Sequence, residues 1–184
     1  YSSRILEIAT LAAHDPGLRG FATSAKMQAL QVAAETLLTG SRVVIATGFC
    51  IRAAMIGEND GPPGALALAD ALAQLGQTVT FVTDRFSSGL LEAGGDVYGL
   101  NAEIIELAQE QGAADRQILD LLNTFQPSHV VAIERPGSAL DGHRYSMRGE
   151  VLDDLAPAAD LLLAPPASRA FTTIAVGDGG NELG

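Results

Sequence analysis

The sequence predicts a three-layer α/β domain of Rossmann-like build, with a mainly parallel sheet and helices on both faces. Three observations predict it. Four short runs rich in β-branched residues, RVVIA, TVTFVT, HVVAI and FTTIAV, recur along the chain. Segments with apolar residues at helical spacing lie between and before them. The runs are almost continuously apolar, as strands covered on both faces are. With 184 residues, of which 47% are hydrophobic, the chain can bury one substantial core, so residues 1–184 read as a single domain.

Ser2 to Ala13 carries Ile5, Leu6, Ile8, Ala9 and Ala12 at helical spacing, and Asp15-Pro16-Gly17 stops it. His14 at that end suits the negative pole of the helix dipole. Ser24 to Leu38 repeats the pattern on Met27, Leu30, Ala34, Leu37 and Leu38 until Gly40. Arg42 to Ala46 is the first strand. A polar loop then leads to GENDGPPGA and an alanine- and leucine-rich helix from Ala65 to Leu75, closed by Gly76. Asp60 is placed to cap that helix, and Pro62 or Pro63 is tolerated in its first turn.

Thr78 to Thr83 is the second strand, Phe86 to Leu91 a short helix, and Ala102 to Leu107 fits a strand or a helix. Asp115 to Phe125 is an amphipathic helix built on Ile118, Leu119, Leu121, Leu122 and Phe125. His129 to Ile133 is a strand, with His129 read as a packed residue. Arg135 to Gly149 is rich in glycine, arginine and turn formers and reads as a long functional loop. Leu152 to Leu163 reads as a helix despite Pro157, and Phe171 to Val176 is the last strand.

Eleven basic against 22 acidic side chains give a net charge of -11. That balance argues against a nucleic-acid backbone or an anionic membrane surface as partner. Cys50 is the sole cysteine, which excludes an intrachain disulfide and a cysteine-based zinc site and fits a reducing, cytoplasmic setting. Following the first strand, it reads as a buried inert thiol. No apolar stretch reaches the roughly 18 residues of a membrane span. Nothing in the pattern sets an oligomeric state; a homodimer is the default, with the two leading helices available for its interface.

The acids carry the chemistry. Asp84, Glu134 and Asp178 each stand at or just beyond the end of a strand, and the first strand leads on to Glu58 and Asp60. In a parallel sheet these ends share one edge, where open α/β folds bind their ligands. Taken singly, each acid also suits a helix cap or a turn. Taken together, converging carboxylates repel unless a cation neutralises them, and hard oxygen ligands suit Mg²⁺ or Mn²⁺. The glycine-rich GDGGNELG, Gly177 to Gly184, adds Glu182, and its glycines let backbone approach a ligand closely. A glycine-rich loop after a strand commonly leads into a helix, so the chain is expected to continue beyond Gly184.

The candidate metal ligands are therefore Glu58, Asp60, Asp84, Glu134, Asp178 and Glu182. Arg135 is a candidate carboxylate clamp, and Gly137, Gly179, Gly180 and Asn181 are candidate substrate contacts. In the long loop, Asp141, His143 and Arg148 are candidate catalytic groups, His143 because imidazole moves protons near neutral pH. GENDGPPGALALA offers a helix N-terminus to an anion, but its prolines remove two donors. GDGGNELG lacks the GK[ST] of a phosphate loop.

Together, TGF at Thr47 to Phe49, ENDGPPGA at Glu58 to Ala65, Asp84, AIERPG at Ala132 to Gly137, DGHRYSMRG at Asp141 to Gly149 and VGDGGNELG at Val176 to Gly184 resemble the C-terminal domain of the D-glutamate cyclase-like family. The resemblance runs through almost the whole chain beyond the first strand, and DGPPGA and GDGGNELG are its most specific parts. It implies a lyase that closes D-glutamate to 5-oxo-D-proline with loss of water. The same carboxylates suit two other readings. One is a metal-dependent phosphohydrolase acting on a phosphate ester; the other is a module that binds a metal or an anionic metabolite without turnover.

Overall fold

The computed structural model describes residues 2–12, 27–164 and 170–184. It divides into two compact units, Tyr1–Gly40 and Ser41–Gly184. In the first, α1 (Ser2–Ala12) and α2 (Met27–Leu38) are the two leading helices. His14, the Asp15-Pro16-Gly17 stop and the Ser24 start lie outside the described residues.

The second unit runs β1 (Arg42–Thr47), β2 (Cys50–Ile51), β3 (Ile56–Gly57), α3 (Pro62–Gln74), β4 (Thr78–Thr83), α4 (Ser88–Tyr98), β5 (Glu103–Glu106), α5 (Gln111–Thr124), β6 (His129–Ile133) and β7 (Thr172–Val176). Five strands form one sheet in the order β5-β4-β1-β6-β7, every neighbouring pair parallel. The chain builds outward from β1 to β5, then returns to β6 on the other side. Between β1 and β6 the strand order reverses, which is where such sheets open a crevice beyond their carboxyl ends. β2 and β3 form a separate antiparallel hairpin within the β1–α3 connection.

Alternation along each strand sorts the two faces. Val44, Ala46, Val82, Val130 and Ala132 pack with Ala114, Ile118, Leu121 and Leu122 of α5 and with Ala159 and Leu162. α3 buries Ala65, Leu66, Ala69 and Leu72 and packs on β1, β4 and β6, with α4 beside it. The central strands β1, β4 and β6 are thus covered by helices on both faces, as their apolar sequences require, while the edge strands β5 and β7 stay largely exposed. His129 is 4% exposed and its Nδ1 lies 3.1 Å from Ser128 Oγ. Cys50 is buried, and burial raises its thiol pKa, which agrees with an inert thiol.

Several element boundaries differ from the sequence reading. The segment 102–107 is a strand, edge strand β5. α4 runs well past Leu91, through Gly94 and Gly95, to Gly99, which ends it in the left-handed region at φ 65°. Asp60 does not cap α3: Gly61 occupies the cap position at φ 89°, with no side-chain cap bond. Residues 152–163 hold only a short 3₁₀ turn at Asp160–Leu162. Pro157 lacks an N–H, and the carbonyls that a helix would use internally go elsewhere: Ala156 O accepts from Arg144 Nε and Pro157 O from Arg135 Nη2.

Candidate functional site

Sequence places Glu134 directly after β6, and the structure puts it in the left-handed region at φ 52°, uncommon for a non-glycine residue. Its N–H still bonds Val176 O at 3.0 Å, so β7 holds the turn in place. Two residues past β7, Asp178 begins the glycine-rich loop. Glu182 then folds back over it: its carboxylate accepts from the N–H groups of Gly179 (2.7 Å), Gly180 (2.7 Å) and Asn181 (3.1 Å). A side chain at Gly177 would start 2.9 Å from Glu182 Cγ, so glycine is what lets the acid lie there.

Among the described residues, Glu134, Asp178 and Glu182 are brought together, with one carboxylate oxygen from each within 4.8 Å of the others. The consequence is electrostatic. Burial, then Glu182, Asp178, Asp60 and Glu58 in turn, push the Glu134 carboxyl up to about 7. Glu58 and Asp60, on the β1–α3 connection, are thus close enough to be felt but stand outside the tight group.

Asp84 and Arg135 meet each other instead. Asp84 Oδ1 accepts from the N–H groups of Phe86 (3.0 Å) and Ser87 (3.1 Å), and Oδ2 pairs with Arg135 Nη1. The same guanidinium donates to Gly48 O (3.0 Å) and Pro157 O (2.8 Å), and both side chains are fully buried. Asp84 is therefore not in the acid cluster, and Arg135 is not an open clamp for substrate. Together they tie β4, the β1–α3 connection, the end of β6 and the 152–159 segment around one point.

The remaining candidates shape the two loops. Gly137 donates its N–H to Asn181 O, and a Cβ on it would meet the Glu182 backbone at 2.9 Å, so it permits close approach of the loops. Asn181 Nδ2 donates to Tyr145 O. Asp141 accepts from His143 N–H (3.0 Å) and the Tyr145 hydroxyl (2.7 Å), which hold its pKa down. His143 Nδ1 pairs with Asp153 Oδ2 at 2.5 Å, which raises the imidazole pKa. Arg148 is exposed, with its N–H on Ser146 Oγ.

His143 faces an open cleft of about 650 Å³ lined also by Asp115, Ser138, Arg144, Asp153 and Asp160. None of Glu134, Asp178 and Glu182 lines it. Sequence reading missed Asp153, which holds both His143 and Arg144, because it treated residues 152–163 as one helix. It also missed the hydroxyls of Thr47, Thr83 and Ser87, which are buried with no hydrogen-bond partner. Their signal, a hydroxyl ending each of two adjacent strands, was visible.

Comparison with known proteins fits this picture. A family described as D-glutamate cyclase-like, C-terminal, matches residues 8–184. The human mitochondrial D-glutamate cyclase is 33% identical over 205 aligned positions, covering 100% of this chain and 32% of that protein. The chain thus spans about a third of that relative. A crystal structure of the calicheamicin glycosyltransferase CalG4 aligns with a TM-score of 0.33 at 18% identity, over 50% of this chain and 24% of the other, a likeness too low to carry an argument. The match across nearly the whole chain, on the loops that build the acid cluster, places this protein in the D-glutamate cyclase-like family, as its C-terminal domain.

Proposed function

We propose that this domain carries a D-glutamate cyclase-like lyase site, closing D-glutamate to 5-oxo-D-proline and water at the acid cluster. The observation that carries the reading is the meeting of Glu134, Asp178 and Glu182 from two adjacent strand ends. Three acids grouped beyond the ends of β6 and β7, with Glu58 and Asp60 near enough to act on Glu134 and that carboxyl pushed to about 7, form a site that gains from a divalent cation. Glu134, Asp178 and Glu182 would hold Mg²⁺ or Mn²⁺, with Glu58 and Asp60 beside them. Bound there, the ion would neutralise and polarise the substrate's side-chain carboxylate as a Lewis acid.

The reaction defines what the chain's own groups must do. The amine nitrogen bonds to the side-chain carboxyl carbon, a carbon–oxygen bond breaks, and two protons pass from nitrogen to the departing oxygen. A carboxylate of Glu134, Asp178 or Glu182 not bound to the ion would carry those protons. Glu182 also fixes the Gly179–Asn181 backbone, so ligand geometry and loop conformation are coupled through one side chain. Asp141, His143 and Arg148 belong to the neighbouring loop, and of the three His143 lines its cleft.

The test is calorimetric titration of metal-stripped protein with Mg²⁺ and Mn²⁺, followed by an assay of 5-oxo-D-proline from D-glutamate. Saturable binding and turnover, both lost in Asp178→Asn, are expected. Equal metal binding in wild type and variant would end the metal-site reading, and absence of turnover in metal-loaded protein would end the lyase reading.

A further inference from the structure

Among the described residues, three buried hydroxyls without a partner face one loop: Thr47 Oγ1, Thr83 Oγ1 and Ser87 Oγ. All three residues are fully buried. Buried hydroxyls are rarely left unpaired, and each exception calls for an explanation such as strain, a catalytic role or a partner from outside the chain. Here the three hydroxyls end β1 and β4 and open α4, at the carboxyl edge beside the acid cluster.

Glycines of the β1–α3 connection press directly on them. A Cβ at Gly48 would lie 2.8 Å from both Thr83 Oγ1 and Ser87 Oγ; one at Gly57 would lie 2.8 Å from Ser87 Oγ. At Gly61 the added carbon would meet Thr47 Oγ1 at 2.8 Å and Glu134 Cβ at 3.0 Å. At three points, then, glycine backbone of this loop lies directly against the hydroxyls. Gly48 and Gly61, at φ 116° and 89°, stand at the two ends of the loop and have the backbone freedom of hinges.

We propose that Thr47, Thr83 and Ser87 form a carboxylate-binding subsite, covered by residues 48–61 acting as a lid and uncovered when that loop swings away, taking Glu58 and Asp60 with it and leaving Glu134, Asp178 and Glu182 in place. This deepens the proposed function and rests on it for the choice of a dicarboxylate as ligand. Hydroxyls donate to a carboxylate without adding charge, and the glycine backbone leaves room for a planar group once displaced. Thr47 adjoins Glu134 across Gly61, so one end of a short dicarboxylate reaches the acid cluster while the other sits on the hydroxyls.

The lid is pinned near its ends, where Gly48 O accepts from Arg135 Nη1 (3.0 Å), Gly57 N–H donates to Phe86 O (3.1 Å) and Glu58 N–H to Phe49 O (2.7 Å), and is lightly held at its tip. Its hairpin strands have two residues each, and Ile51, Met55 and Ile56 are exposed. Phe49 and Cys50 anchor one end against Leu152, Leu155 and Ala156. Outside, Arg52 latches it with two bonds to Asp154 (2.5 and 3.0 Å) and one to Val151 O (2.7 Å). Few buried contacts and an exposed latch are the features of a locally opening segment.

The test measures D-glutamate and glutarate affinity by calorimetry in metal-loaded wild type, Thr83→Val and Ser87→Ala, with hydrogen exchange of residues 48–61 in parallel. Each substitution is expected to weaken both ligands about tenfold, the scale of one hydrogen bond to a charged group, and to leave Mn²⁺ affinity unchanged. Thermal stability of the unliganded variants should not fall, because an unpaired hydroxyl is removed. Arg52→Ala should speed exchange across 48–61 without touching the hydroxyls.

Glutarate binding that depends on the hydroxyls, without turnover of D-glutamate, would uphold the subsite and remove the lyase reading. Turnover with unchanged affinities in both variants would do the reverse. Absence of any dicarboxylate binding to wild type, or exchange in 48–61 unaffected by Arg52→Ala, also overturns the proposal.

Discussion

Glu134 and Arg135 are neighbours in sequence and opposites in environment. Arg135 is buried with its charge met by Asp84 and by two backbone carbonyls. Glu134 stands half-buried among other acids, with burial and like charge both acting against its ionised form. One strand end thus supplies a closed electrostatic unit and, one residue earlier, an open one. A charge whose partners lie within the fold holds structure, whereas a group of like charges leaves room for something from outside.

The largest effect should come from breaking the closed unit. Arg135→Met leaves Asp84 buried without its cation, which costs about 3–5 kcal/mol by analogy with other broken buried pairs. Chemical denaturation of the two proteins measures it; a loss below about 1 kcal/mol, the scale of surface pairs, would show that the pair is not structural. Asp84→Asn sharpens the same contrast. It should lower stability in the same assay and leave Mn²⁺ affinity unchanged, because Asp84 faces Arg135 and not the cluster. A tenfold loss of Mn²⁺ affinity in Asp84→Asn would return it to the ligand set.

The open unit should respond the other way round. Glu134→Gln is expected to lower Mn²⁺ affinity about tenfold or more, the scale seen when metal ligation is disturbed, without loss of stability in metal-free buffer. Removing one of several mutually repelling carboxylates relieves repulsion that a bound cation or a proton on Glu134 otherwise relieves. Calorimetry and thermal melts on the same samples separate the two effects, and a variant that is less stable but binds metal normally would contradict the assignment.

How much of this was legible in the sequence follows from the range of the interactions. The strands β1, β4 and β6 were readable because burial on both faces writes near-continuous apolar runs, a local signal, whereas β7, an exposed edge strand, was readable from its β-branched residues. β5 was ambiguous because Glu103 and Glu106 flank only Ile104 and Ile105 in an edge strand. The helix expected over 152–163 failed because the carbonyls of Ala156 and Pro157 are taken by arginines from other segments, which no local pattern encodes. Likewise, strand-end position placed Asp84, Glu134 and Asp178 on one edge but could not tell which acid had a cation as neighbour. The pairing of Asp84 with Arg135 spans 51 positions, and that long-range contact decides which acids remain for the site.

The smallest effect is a pH dependence confined to the open unit. An unperturbed glutamate has a pKa of 4.5, and in the folded protein Glu134 is raised to about 7. Between those values the folded state binds a proton that the unfolded chain has released. Its contribution to stability is therefore fully present below 4.5 and is lost as pH rises through about 7. In chelator, wild type should lose stability from pH 5 to pH 8 relative to Glu134→Gln, whose amide does not titrate. Saturating Mn²⁺ should flatten the difference, since a bound cation favours the ionised carboxylate over the same range. Melting curves of both proteins at several pH values, with chelator and with metal, make the comparison. Parallel curves in chelator would mean that Glu134 is already compensated by partners within the fold, as Arg135 is, and the contrast between the two neighbours would disappear.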